Sequence, residues 1–124
     1  MNINVYNLGT VVSISERIEN INVKDWRYYR HEEHIEPFRA VWIAGEDAKV
    51  GWLRLGGTSQ AEVEVDAFVN IVRLDDESEL TIKNTGKVHS VHIEAKATLI
   101  IEKGARRPDI IGGPGKVIDY NTQN

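Results

Sequence analysis

Residues 69–87 read VNIVRLDDESELTIKNTGK. The stretch before them, 50–68, is VGWLRLGGTSQAEVEVDAF, and the stretch after, 88–106, is VHSVHIEAKATLIIEKGAR. Aligned on a period of 19, the three carry apolar side chains at the same places with little identity elsewhere. One column reads Leu53, Val72, Val91, Ile110; a second Ala61, Leu80, Leu99, Ile118; a third Val63, Ile82, Ile101, Tyr120. Two more hold over three rows: Val50, Val69, Val88, and Leu55, Leu74, Ile93. At this composition roughly half of one fully apolar four-row column is expected by chance, and three appear.

Leu53 with Leu55, and Ala61 with Val63, are neighbours two apart, so each pair faces one side of a strand. Two inward-facing strands per 19 residues describe one coil of a β-solenoid, in which like columns stack. A lone coil leaves its upper and lower faces bare, so the apolar pattern must repeat while the residue identities need not. The expected fold is therefore all-β, a β-solenoid of about 19 residues per coil over residues 41–121. The alternative is an antiparallel β-sandwich or barrel, because strands about every ten residues also arise there. Turn residues fall between the strand signals, among them Gly56-Gly57, Asp75-Asp76, Asn84-Thr85-Gly86 and Gly112-Gly113-Pro114-Gly115. No linker divides the chain, so residues 1–124 are read as a single domain.

Residues 1–40 have a different texture. Ser13 and Glu16 are spaced as a capping box, and Ile14, Ile18 and Ile21 share a helical face. Against a helix, Val12 with Ile14 and Ile21 with Val23 alternate, and Asn and β-branched residues are frequent, so strand is preferred. This segment is expected to cap one end of the solenoid or to form an interface, because bare ends aggregate. AVWIA, residues 40–44, would be the first rung, one residue out of register with the rows below.

Composition narrows the function. The net charge is −4 with acids and bases interspersed, which argues against a general nucleic-acid binder. There is no cysteine, which excludes disulfides, thiolate metal sites and thiol nucleophiles. MNINVYNLGT has no basic region followed by an apolar run, and no apolar run is long enough for a membrane helix. The expectation is a soluble protein, cytoplasmic or virion-associated, without a signal peptide.

Arg54, Arg73 and His92 form an outward column in the same alignment, stacked about 4.8 Å apart if the coils form. Such a ladder of like charge needs an anion or an acidic neighbour to balance it, so it is a candidate site for an anionic small molecule or glycan. The block Trp26, Arg27, Tyr28, Tyr29, Arg30 has the residue types of interface anchors, and Trp52 falls on an outward column where residues 1–40 or a partner would cover it. Trp42 is assigned to packing. His31 with His34, and His89 with His92, share an HxxH spacing, but residues three apart on a strand face opposite sides, so no metal site is assigned. Asp75 to Glu79 matches no calcium-loop spacing and falls at a turn. No nucleophile–base pair and no phosphate-binding glycine loop is present, so no catalytic residue and no cofactor is expected.

The coil pattern over residues 41–121 resembles in architecture the bactofilins, which polymerise as β-helical rods; the Gly-Asp-Ile-type signature of that family is missing here, so the resemblance implies the architecture alone. The function expected from these features is non-enzymatic: a structural or interaction protein that forms a homo-oligomer or joins a larger assembly, such as a phage fibre, tail or capsid-decorating protein. The competing readings are an anion- or glycan-binding module and a small inhibitor or immunity-type protein.

Overall fold

Short runs rich in Val, Ile and Leu that alternate with polar residues form strands, and each run here ends at a turn sequence that forces the chain to change direction. A computed structural model describes residues 2–5, 12–23 and 39–121, with side chains over 13–23 and 41–121. Twelve strands occur among them: β1 (Asn2–Val5), β2 (Val12–Ile14), β3 (Arg17–Val23), β4 (Arg39–Ala44), β5 (Lys49–Leu55), β6 (Gln60–Glu64), β7 (Phe68–Leu74), β8 (Glu79–Ile82), β9 (Lys87–Ile93), β10 (Thr98–Ile101), β11 (Ile110–Gly112) and β12 (Lys116–Asp119). Odd-numbered strands make one sheet, in the order β1-β3-β5-β7-β9-β11. The second sheet runs β2-β4-β6-β8-β10-β12. Every pairing is parallel. This is a β-solenoid, and the antiparallel sandwich is ruled out.

The period of 19 is the coil. Val50 pairs with Val69 and Val69 with Val88; Leu53, Val72 and Val91 align, as do Leu55, Leu74 and Ile93. On the second sheet Ala61, Leu80 and Leu99 align, and Val63, Ile82 and Ile101. All of these side chains are buried in one continuous core. Val41 pairs with Ala61 and Ile43 with Val63, an offset of 20, which is the one-residue slip expected of AVWIA.

Two columns of small residues complete the coil and went unread in the sequence. Ala48, Ala67, Gly86 and Ala105 are buried at 19-residue intervals, and so are Ser59, Ser78 and Ala97. They end two kinds of tight turn. Ala48, Ala67, Gly86 and Ala105 each donate an amide hydrogen bond to the carbonyl three residues back, at 2.9–3.2 Å. Ser59, Ser78 and Ala97 do the same at 3.0–3.3 Å. Both serines also cap their turns: Ser59 Oγ donates to the Gly56 carbonyl at 2.6 Å and Ser78 Oγ to that of Asp75 at 2.7 Å.

A third bend lies inside each long strand of the first sheet. Burial in β5 runs in, out, out, in, out, in from Val50 to Leu55, and β3, β7 and β9 repeat the order. This bend explains why Ile18 and Ile21 imitate a helical face: residues three apart both point inward when a bend lies between them. The N-terminal segment is β-rich as expected, and its described strands sit at the end of the stack by extending both sheets. The tetrapeptide Asn2-Ile3-Asn4-Val5 pairs in register with an identical Asn20-Ile21-Asn22-Val23, a repeat that the period of 19 overlooks because its offset is 18.

The last row departs from the expected columns. Ile111, rather than Ile110, pairs with Val91; Val117, rather than Ile118, pairs with Leu99; and Asp119, rather than Tyr120, pairs with Ile101. Ile110 is 55% exposed and Tyr120 46%. Val91 to Leu99 spans eight residues, Ile111 to Val117 only six. The shorter corner depends on Gly113, whose φ of +92° suits glycine and where a Cβ would collide with the backbone of Ile93. The row ends with the buried Asp119 carboxylate where the rows below have Val63, Ile82 and Ile101, and Arg107 Nη1 donates to it at 2.7 Å. An inward carboxylate is a device that stops further strands from adding to an end.

Candidate functional site

The outer face of the first sheet is built by the residues that the bend turns away from the core. Arg54, Arg73 and His92 are stacked in register there, as the alignment requires, with Asn22 on the preceding rung. A second, acidic column lies beside them, one residue beyond the inward Leu74 and Ile93. Asp75 accepts from Arg54 Nε at 2.7 Å and from Arg73 Nε at 2.9 Å. Glu94 accepts from Arg73 Nη2 at 2.8 Å and lies 3.5 Å from His92 Nε2. The like charges of the ladder are thus balanced by acids from the same coils. Each such pair is half-exposed and stabilises weakly, but the network fixes both guanidinium groups on the face.

Trp52 and Ile71 occupy adjacent rungs of the next column inward from the ladder, followed by Ser90 and Ile110. They are 41% and 46% exposed, so two large apolar side chains lie together on a sheet face rather than singly. Ile71 was missed in the sequence. Its signal is the break in alternation within VNIVRL, where an apolar residue falls on an outward position. Trp42 lies on the outer face of the second sheet, more exposed than a packing role requires, and its Nε1 donates to Glu64 Oε2 at 2.9 Å.

The remaining candidates separate. His89 Nδ1 lies 3.0 Å from Asp109 Oδ2 while His92 faces Glu94, so the two histidines have different carboxylate partners. The hydrogen bond with His89, aided by the nearby Arg106 charge, holds the Asp109 carboxyl below its ordinary pKa. In the acidic run, Asp75 is held by the two arginines and Asp76 Oδ2 accepts from the Gly57 amide at 2.9 Å. Among the described residues no three metal-ligating side chains cluster, and no helix is long and apolar enough to cross a membrane. Trp26, Tyr28, Tyr29 and Arg30, with His31 and His34, lie outside the described residues. Set against known proteins, the chain matches no family model, no characterised protein by sequence and no solved structure by fold.

Proposed function

We propose that this protein is a non-enzymatic structural or interaction module that docks through the outer face of its first sheet, either on another copy of itself or on a larger assembly. The contiguous exposed pair Trp52–Ile71 carries this reading. Interfaces place aromatic and apolar groups at the centre and charge at the rim. Here the Arg54–Asp75–Arg73–Glu94 network lies beside the apolar pair in that relation. The solenoid suits such a role because neighbouring rungs fix one another's backbone, which holds the face in place without an ordering cost on binding. A repetitive rod of this kind fits a virion fibre, tail or capsid-decorating component. Anion capture by the ladder is the less favoured reading, since an anion would have to displace Asp75 and Glu94 from the guanidinium groups.

Light scattering across a hundredfold dilution tests it, on the natural chain and on a Trp52→Ser/Ile71→Ser variant whose fold is checked by circular dichroism. The expected result is an oligomer that the double substitution reduces to monomer. An oligomer that ignores the substitutions refutes this face as the contact. A monomer at every concentration overturns self-assembly and leaves attachment to a foreign particle.

A further inference from the structure

At the bend of the first sheet, Arg17, Lys49, Phe68 and Lys87 stack in one column. Across the bend sit Glu19, Gly51 and Asn70. Gly51 opens the surface: a Cβ there would lie 2.6 Å from the Glu19 carbonyl oxygen, so no side chain fits. The space left is a groove of about 550 Å³, lined by Arg17, Glu19, Lys49, Phe68 and Asn70 with Ile18, Val50 and Gly51, so that two cations and one carboxylate border it. Its size falls in the range of small-ligand sites, roughly 300–1,000 Å³.

The charge here is arranged unlike that of the Arg54–Arg73 ladder. Among the described residues neither Arg17 nor Lys49 has an acidic partner within 4.0 Å, whereas Arg54 and Arg73 share Asp75. Arg17 and Lys49 stand on neighbouring rungs, whose backbones are about 4.8 Å apart, so one anion can reach both head groups. The next rung presents the partly exposed ring of Phe68, and beside it the exposed amide of Asn70. A ligand with one anionic group for Arg17 and Lys49, a C–H face for Phe68, and hydroxyls to donate to Glu19 and to pair with the Asn70 amide is a carboxylated sugar. A nucleic-acid strand is disfavoured, since it needs a longer run of cations than this column holds and the chain is net acidic.

We infer that this groove binds an acidic sugar, as a free sugar acid or as a residue of an acidic polysaccharide. This goes beyond the docking face proposed above and does not depend on it. The test is calorimetric titration of the full chain with galacturonate monomer, galacturonate trimer, neutral maltotriose, inorganic phosphate and oligothymidylate. Saturable binding of galacturonate but not maltotriose is expected, and it should weaken at least about tenfold in Arg17→Gln/Lys49→Gln, a change of about 1.4 kcal/mol. Both substituted side chains are exposed, so that variant folds. Phe68→Leu, with its melting temperature checked, should weaken galacturonate while leaving phosphate unchanged. Tighter binding of the trimer assigns the ligand to a polysaccharide, and equal binding assigns it to a free sugar acid. No galacturonate binding, equal affinity for maltotriose, indifference to the double substitution, or stronger binding of oligothymidylate overturns the inference.

Discussion

Val65 sits at φ +52° beside Asp66 at +64°, in the turn that Ala67 N closes on the Glu64 carbonyl at 3.2 Å. Both central residues are left-handed, a conformation that costs an ordinary L-residue about 1–2 kcal/mol and is worst for a β-branched one. The chain itself supplies the remedy one coil on, because position 84 holds Asn at φ +50°. Asn is the non-glycine residue best suited to this region. Val65→Asn should therefore recover about 2 kcal/mol of strain. Val65 is 47% exposed, so losing its buried half costs roughly 0.8 kcal/mol. The net gain is about 1 kcal/mol, which at a urea slope near 2 kcal/mol per molar raises the unfolding midpoint by about 0.5 M. The assay is urea unfolding followed by circular dichroism and by tryptophan fluorescence, whose coincidence tests two-state behaviour. Val65→Thr is the control: nearly isosteric and equally branched, it keeps the strain and should leave the midpoint almost unmoved. An Asn variant no more stable than the natural chain, at unchanged slope, would refute the reasoning.

Other perturbations follow from the same coil. Leu80 is fully buried in the middle of the stack, so Leu80→Ala should lower stability by about 2–5 kcal/mol in the same urea assay. Ser78 caps its turn, but Ala97 occupies the equivalent place one coil on; Ser78→Ala should cost about 1 kcal/mol, and Ser78→Val should cost more because the corner has no room for the extra methyl groups. The Arg107 hydrogen bond, with further donors from Asn121, holds Asp119 below its ordinary pKa of 3.8. A folded value below the unfolded one adds stability that is complete above the unfolded value and vanishes as pH falls through the folded one. Acid titration of stability should thus be shallower below about pH 4 in Asp119→Asn than in the natural chain.

The central coils were legible because Val, Ile and Leu recur every 19 residues where three coils match without insertions. The two columns of small residues were not, since Ala, Gly and Ser do not advertise burial. They are buried because they close tight corners, and at Gly86 even a Cβ would collide with the Val63 carbonyl. The final row was misjudged by one residue because a shortened corner leaves no apolar trace in the sequence, only glycines. The Arg54–Arg73–His92 column followed from the 19-residue alignment, but its acidic partners did not, because Asp75 and Glu94 open a turn, where solvated acids are ordinary. Ile71 and the groove around Gly51 depend on the bend inside each long strand. Nothing in a two-residue alternation announces that bend, although the repeated spacing Val50–Leu53, Val69–Val72, Val88–Val91 records it.

The fixed coil length has a consequence for how such a chain can change. Deleting one residue inside a central strand would put part of that strand out of register with both neighbours, turning core side chains to solvent. Duplicating residues 67–85 would keep the register: each side chain of the copy would stack on its own parent on one side and on the parent's old neighbour on the other, and the rod would lengthen by about 4.8 Å. Length is therefore a quantised trait in this molecule, adjustable in whole steps like the marks on a ruler. Toward the ends of the stack the offset departs from 19, to 18 or 20, and between Ile21 and Leu53 it is 32, which is 13 residues more than one coil. Variation in the reach of the rod comes as entire coils.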